Sequence, residues 1–467
     1  MTRRVPTLES LFVATFALLG FGLGTRPISD NSMLTHLRTG IDMVRGGGIP
    51  REDPYSWTAK GEPWVVQSWL PEWTYGWAHR LGGYRLVVLE QAVLMAVLAW
   101  LILRLARAGS PSRTALSGLI AVGIGFRYWS PRPLLFGLIC MALTVTIVER
   151  RRTTWWLVPV VWFWVQSHGS FPLGLAWLAT RAIGEALDWR SRPREAMSYI
   201  GAFVAGLVVS IINPLRARLL TFPFTLGDKR EVFERIVEWT SPNFQSGPAR
   251  VALVFLLLAL LLLVRARLPW RDVVPVVAFI AAGLLASRNL PVTAIVMAPV
   301  LGRMLRRPES APARRAELGN EQRVNRALAL TLAAAFVLFG ASVFRNSGLR
   351  LNGYPVAATT YMERAGLLDG AARVAHRDFV GNYLELRYGR RLPVFIDDRF
   401  DMYPVSVSED YIELLEAGPR SLQILDDRRV DVVLWNKDHR LVNLLLVSGR
   451  WYEEHVEDGW AVLRRDD

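Results

Sequence analysis

Arginine crowded onto alternate sides of apolar stretches constrains this chain more than any other feature. Apolar runs lie near residues 8–25, 85–106, 113–128, 132–149, 154–167, 171–187, 198–213, 250–265, 271–287, 290–304 and 325–344. A bilayer crossing takes roughly 17–25 mainly apolar residues, so these are about eleven spanning candidates, with 290–304 the weakest. If the N-terminal "MTRR" is cytoplasmic, the connections "RLARAGSPSR", "ERRRTT", "DWRSRPRE", "RARLPWR" and "GRMLRRPESAPARRAE" fall on that side. Each is short and Arg-rich, which satisfies the positive-inside rule at every crossing. The outer side then receives the loop 26–84, "RYWSPRP", "QSHGSFP", the loop 214–249, "SRNLP" and everything after 345.

Composition fits a membrane protein. Of 467 residues, 52% are hydrophobic, too many for an ordinary soluble chain. The net charge of +14 is almost wholly arginine, since Lys60, Lys229 and Lys437 are the only lysines. Spread over the inner connections, it reads as loop charge and excludes a nucleic-acid partner. The single Cys140 lies in an apolar run, which excludes an intrachain disulfide and a cysteine metal site. No small-x-small cleavage site follows the first apolar run, so a retained helix is expected there.

After residue 350 the pattern changes. "RVAHR", "LPVFIDDRF", "VDVVLWN" and "WAVLRR" suit strands. "AATTYMERAGLL", "FVGNYLELRYG" and "EDYIELLEAGPRSLQILDD" carry helical spacing. The expected organisation is a polytopic helical membrane domain over 1–345, carrying the long outer loop, and an extracytoplasmic α/β domain over 350–467.

The outer loop opens with "SMLTHLRTGIDMVRGGG". Met33, Leu34, Leu37, Ile41 and Val44 recur at three- and four-residue steps, an amphipathic helix that Gly46–Gly48 would end. Such a helix can lie in the membrane interface. Ser29 or Asp30 suits its N-cap, and Asp30 equally a catalytic base. A second helix opens at Pro71, and Trp69, Trp73 and Trp77 on it suit an interfacial aromatic belt. Asp30, His36, Asp53, Glu72, Arg127, Arg132, His168, Asn213, Glu238, Arg288 and Asn289 all fall on the outer side or at outer helix ends. Ionisable groups near membrane depth normally face a cavity or a partner. Simpler roles stand beside that one: a helix-end tie for His168, headgroup snorkelling for Arg127, a helix stop for Asn213. In "FIDDRFD", Asp397, Asp398, Arg399 and Asp401 suit a structural Arg–Asp pair, or a carbohydrate or metal site at a strand end. His376 and His439 lack partners at metal-ligand spacing and are expected to be structural.

The sequence Asp30…His36-Leu37-Arg38-Thr39-Gly40, with "IPREDPYSWT", "EPWVVQSWLPEW", "HGSFPLG", "VEWTSPNF", "SRNLP" and "GNYLELRYGRRLPVFIDDRFDMYP", resembles a bacterial family of glycosyltransferase-like polytopic proteins in the GT-C superfamily. The resemblance covers nearly the whole chain. It implies a GT-C-like fold of about eleven transmembrane helices, N-terminus in and C-terminus out, in a bacterial cytoplasmic membrane. It also implies a polyprenyl-phosphate-linked sugar donor, a saccharide, lipid or protein acceptor, and an acid after the first span that serves as base or holds the acceptor. Asp30 matches that acid. Many members carry adjacent acids there; this chain has Asp30-Asn31, which leaves the second to Asp53 or Glu72. The resemblance leaves the cofactor open, a divalent metal included, though none is indicated.

That chemistry needs a carboxylate to take a proton from the acceptor hydroxyl and cations to meet the leaving phosphate. Asp30 is the candidate base. His36, Asp53, Glu72, Arg132, His168, Glu238, Arg288 and Asn289 are the candidate binding residues. A carrier or flippase for lipid-linked saccharides would use the same groups without the proton step. An assembly factor would depend on 350–467 instead.

Overall fold

The computed structural model describes residues 6–188, 194–225, 240–306, 319–368 and 372–466. Each of the eleven apolar stretches contains a helix: Leu8–Gly24, the second half of Trp69–Leu105, Pro111–Gly125, Leu134–Glu149, Leu157–Ser167, Pro172–Leu187, Arg194–Val209, Gly247–Arg265, Trp270–Leu285, Leu290–Leu305 and Gly319–Arg345. Trp69–Leu105, Gly247–Arg265 and Glu321–Arg345 are long and apolar enough to cross a bilayer by length and composition. The others are shorter or less apolar. The chain divides into two compact units.

The helical unit holds the described residues of 1–28, 81–223 and 234–348. At its centre is Leu290–Leu305, in which every residue from Leu290 to Gly302 is buried. Its hydropathy is modest because helices, not lipid, surround it. Small residues allow close packing, as in membrane bundles. A Cβ on Gly125 would lie 2.9 Å from Pro291 Cα, and one on Gly302 would lie 2.5 Å from the Arg107 carbonyl oxygen. At one end of the bundle Arg303 Nη2 reaches Asp272 (2.8 Å) and Arg181 reaches Glu149 (2.7 Å); Arg303 also pairs with Glu149. These pairs join the ends of four helices whose connections the arginine pattern assigns to one side. Val254, Leu257, Leu261 and Val264 on Gly247–Arg265, and Leu330, Val337 and Leu338 on Gly319–Arg345, are exposed. Contiguous apolar surface of this kind suits contact with lipid.

The mixed unit holds the described residues of 29–80, 224–233 and 349–467. The loop assigned from sequence to the membrane domain thus groups with the C-terminal segment. Its four-stranded sheet has the order β1-β2-β4-β3: β1 (Val374–His376), β2 (Val432–Asn436), β3 (Trp451–Glu457) and β4 (Trp460–Arg465). β1 and β2 are parallel; the other pairs are antiparallel. β3 and the helix Arg440–Val447 were not legible as elements. β3 carries three glutamates and is largely exposed, and its hydrophobic alternation is faint.

"LPVFIDDRF" is not a strand of this sheet. Its apolar residues are buried, yet Val394 takes its backbone bonds from the first loop, donating to the Tyr55 carbonyl (2.8 Å) and accepting from Trp57 N–H (3.0 Å). The helical spacing over 409–427 is two helices, Val405–Glu416 and Ser421–Asp427, parted where Ala417 turns left-handed at φ 53°.

The amphipathic helix forms as Asn31–Asp42 and runs on through a π turn, Met43–Gly47, that ends at Gly48 with φ 65°. Its apolar stripe does not face lipid: Met33, Leu34, Leu37 and Ile41 are buried in protein. The helix packs on Asp378–Tyr388 and crosses the Trp69 helix, where Gly40 and Gly76 meet. A Cβ on Gly40 would lie 1.9 Å from the Glu72 carbonyl oxygen. Of the three tryptophans, Trp73 and Trp77 are exposed and Trp69 is half-buried. Gly40→Val should therefore force this crossing apart and cost about 1–3 kcal/mol. A thermal-unfolding midpoint equal to that of wild type would contradict the crossing.

Candidate functional site

Asp30 is the N-cap of the helix Asn31–Asp42, and its Oδ1 accepts from Met33 N–H at 3.3 Å. The cap engages one oxygen of a half-buried carboxylate. On the same first helical turn, Ser32 donates its hydroxyl, and Asn31 its amide (3.4 Å), to Asp398 Oδ2. A second acid thus stands at the head of this helix, supplied by the C-terminal segment. Beside them lies Tyr354. Burial raises its phenol well above the ordinary range, and the charges of Asp30, Asp398 and Asp378 raise it further. It therefore keeps its proton across the physiological range and can donate it in a hydrogen bond.

Asp53 and Glu72 have other work. Asp53 is the acceptor of a tight turn: Oδ1 takes Tyr55 N–H (3.2 Å), while Oδ2 takes Ser56 N–H (2.9 Å) and the Ser56 hydroxyl. Its Oδ1 also receives Arg399 Nη2 at 2.9 Å. Glu72 is buried and pairs with His36 Nδ1 at 2.7 Å, which fixes the imidazole on the exposed side of the helix.

Arg399 is the centre of this unit. Only 7% of its side chain is exposed. Its Nη2 reaches Asp53, Asp397 Oδ2 (2.6 Å) and Glu385 Oε1 (3.2 Å), and its Nε reaches Asp397 Oδ1 (2.9 Å). The Tyr55 and Trp64 rings stack near it, 5.2 and 4.4 Å from the guanidinium carbon. Tyr403 donates to Asp397 (2.6 Å) and Thr35 to Glu385 (2.7 Å). Three carboxylates meet one cation, so one must yield. Burial, then the Asp397 charge, raises Glu385 well above the usual carboxylate range. Burial also pushes Asp397 up, but the Arg399 guanidinium overrides it and holds Asp397 down at about 2. Of the two readings of "FIDDRF", the structural Arg–Asp pair describes Asp397 and Arg399. Among the described residues no group of three or more His, Cys, Asp or Glu is placed to hold a metal ion.

In the helical unit, His168 follows the helix Leu157–Ser167, and its Nδ1 accepts from Ser170 N–H at 3.1 Å. Arg132 is half-buried and its Nε donates to the Ser130 hydroxyl at 2.8 Å. Arg288 and Asn289 form a short 3-10 turn before Leu290–Leu305, and Asn289 donates to the Ala282 carbonyl at 3.1 Å. Arg127 is exposed beside the Phe126 ring, in keeping with snorkelling. Asn213 ties the turn after its helix, accepting from Leu215 N–H (2.6 Å). Glu238 lies outside the described residues.

Asp398, Tyr354 and the Arg399 cluster were missed as companions of the first loop. The one signal was local: an acid pair followed by arginine in an apolar run. Nothing in it points to a loop more than three hundred residues earlier.

The fold has a counterpart among solved structures. It is similar to the archaeal oligosaccharyltransferase AglB from Archaeoglobus fulgidus, solved with an inhibitory peptide and a dolichol-phosphate. The TM-score is 0.52 at 11% identity, over 91% of this chain and 69% of that one. ArnT from Cupriavidus metallidurans, solved with undecaprenyl phosphate, aligns at a TM-score of 0.49 and 14% identity, over 97% of each chain. No family model matches the sequence, and no curated protein does.

Two consequences can be measured on the purified full-length protein. Arg399→Gln leaves buried carboxylates unpaired and should cost about 3–5 kcal/mol, whereas Glu385→Gln should cost far less because burial already keeps that carboxyl protonated; equal thermal shifts for the two variants would refute the assignment. The second concerns pH. His376 donates from Nδ1 to the Arg377 carbonyl and accepts Phe395 N–H on Nε2, both at 3.0 Å, so it is neutral, and burial lowers its pKa to about 4. Protons then favour the unfolded chain: stability is full above about pH 6.5 and falls by about 3 kcal/mol as the pH drops towards 4. Unfolding midpoints across that range should slope less in His376→Gln than in wild type.

Proposed function

We propose that this protein is a membrane glycosyltransferase that moves a sugar from a polyprenyl-phosphate donor to an acceptor on the outer face of a bacterial cytoplasmic membrane. The chain crosses about eleven times, with the N-terminus inside, the mixed unit outside and the arginine-rich connections in the cytoplasm. The observation that carries the reading is Asp30: a half-buried carboxylate, held by its own helix cap and joined there by Asp398, directly after the first apolar helix of a GT-C fold.

The acceptor hydroxyl attacks the anomeric carbon in a single inverting displacement. Its proton passes to Asp30 Oδ, the new C–O bond forms, and the bond to the donor phosphate breaks with its electron pair. Asp398 serves as the second acid beside Asp30 and orients the acceptor. Tyr354 donates a hydrogen bond to the same group. His36, buttressed by Glu72, holds a sugar hydroxyl. In the helical unit, Arg132, Arg288 and His168 are the groups whose chemistry suits a lipid phosphate, with Asn289 in the Arg288 turn. Preorganised charge of this kind is commonly the largest catalytic term.

The test uses the purified protein, a panel of polyprenyl-phosphate sugars and mass-spectrometric detection of released polyprenyl phosphate. Asp30→Asn should lower turnover about 10²–10⁴-fold while leaving donor affinity within a factor of three. Unchanged lipid movement by Asp30→Asn, with no sugar transfer by either protein, would instead favour a carrier.

A further inference from the structure

At the opposite end of the loop helix from Asp30, a cavity of about 400 Å³ opens between the π turn and the turn Gly389–Arg391. Arg38, Asp42, Arg45, Gly47, Tyr388, Arg390 and Arg391 line it. Four guanidinium groups thus face one carboxylate, and that carboxylate is already engaged. Asp42 receives Arg38 through both Nε (3.2 Å) and Nη2 (2.7 Å) and takes the Tyr55 hydroxyl at 3.0 Å. Arg390 stands at 3.9 Å from it. Arg38 and Asp42 therefore form a neutral floor, while Arg45, Arg390 and Arg391 are exposed around the opening. The turn is shaped to admit the floor. Gly389 holds φ 59°, and a Cβ there would strike the Arg38 guanidinium at 2.2 Å.

A solvated face spreads like charges apart. Here they converge on a concave opening, where an anion with several oxygens would relieve their repulsion. Guanidinium forks match phosphate oxygens, and the volume lies in the range of small-molecule pockets, roughly 300–1,000 Å³. The neighbouring helix presents Trp73 and Trp77 edge to face at 6.0 Å, with Arg80 over the Trp77 ring and reaching the Val44 carbonyl, one residue before Arg45. Exposed tryptophan beside arginine is the composition of a headgroup layer.

We propose that this cavity is a binding site for a phosphate ester, with Arg45, Arg390 and Arg391 as its ligands and the Arg38–Asp42 pair as its floor. The tryptophan face favours an anionic lipid headgroup over a soluble phosphate as the source. The site uses none of the residues assigned to sugar transfer and stands independently of that reading.

Full-length protein in an uncharged detergent would be titrated with dihexanoyl phosphatidylglycerol and, separately, with inorganic pyrophosphate. Arg45→Gln/Arg391→Gln should bind the preferred anion at least tenfold more weakly than wild type, and Arg390→Gln should weaken it severalfold. The equal-charge control Arg364→Gln/Arg440→Gln, at exposed positions elsewhere in the unit, should bind as wild type does. Binding of the lipid alone identifies a headgroup site; binding of pyrophosphate alone identifies a site for soluble phosphate. Absence of binding by wild type, or equal weakening in the cavity variants and the control, overturns the proposal.

Discussion

A guanidinium withdrawn from water must be met by carboxylates, and in the mixed unit Arg399 is met by Asp53, Glu385 and Asp397. These come from the first loop, the helix Asp378–Tyr388 and the segment that carries Arg399 itself. Losing the arginine would leave buried charges with no partner, so the three segments are held in one arrangement. The arrangement has a local consequence. It places Val394 against Tyr55 and Trp57, and it brings Asp398 to the head of the loop helix. The surroundings of Asp30 follow from a buried ion cluster that takes no part in the proposed chemistry.

The helical unit obeys a different constraint. Lipid offers no hydrophobic drive between helices, so close approach depends on small residues and on polar pairs that find each other. Leu290–Leu305 shows both: glycine contacts along its length, and Arg303 at its end joining Glu149 and Asp272. Weak hydropathy at this helix goes with its burial among the other helices of the unit.

The legible parts were those written in neighbouring residues. The N-cap, the apolar stripe of the loop helix and its stop in the Gly46–Gly48 run are set within one stretch of chain; of the two caps open in the sequence, Asp30 is the one used, and the helix stops at Gly48. What covers the stripe was not legible. Amphipathic spacing says that one side seeks an apolar surface, and lipid and protein satisfy that demand equally. In this chain the surface is Asp378–Tyr388 and the Trp69 helix. The run "LPVFIDDRF" misled for the same reason: burial was read correctly, but its hydrogen-bond partner was the first loop and not the sheet.

The sequence by itself determined where the eleven apolar helices lie, because hydropathy and 3.6-residue periodicity act over a few turns of chain. It also singled out Asp30, because a cap and an acid after an apolar run are local features. Tertiary structure alone decided which acid stands beside Asp30, that Asp53 serves Arg399, and that Glu72 serves His36. Those pairings depend on the desolvation of charges brought together from distant segments, and a charge does not reveal its partner until folding has removed the water from both.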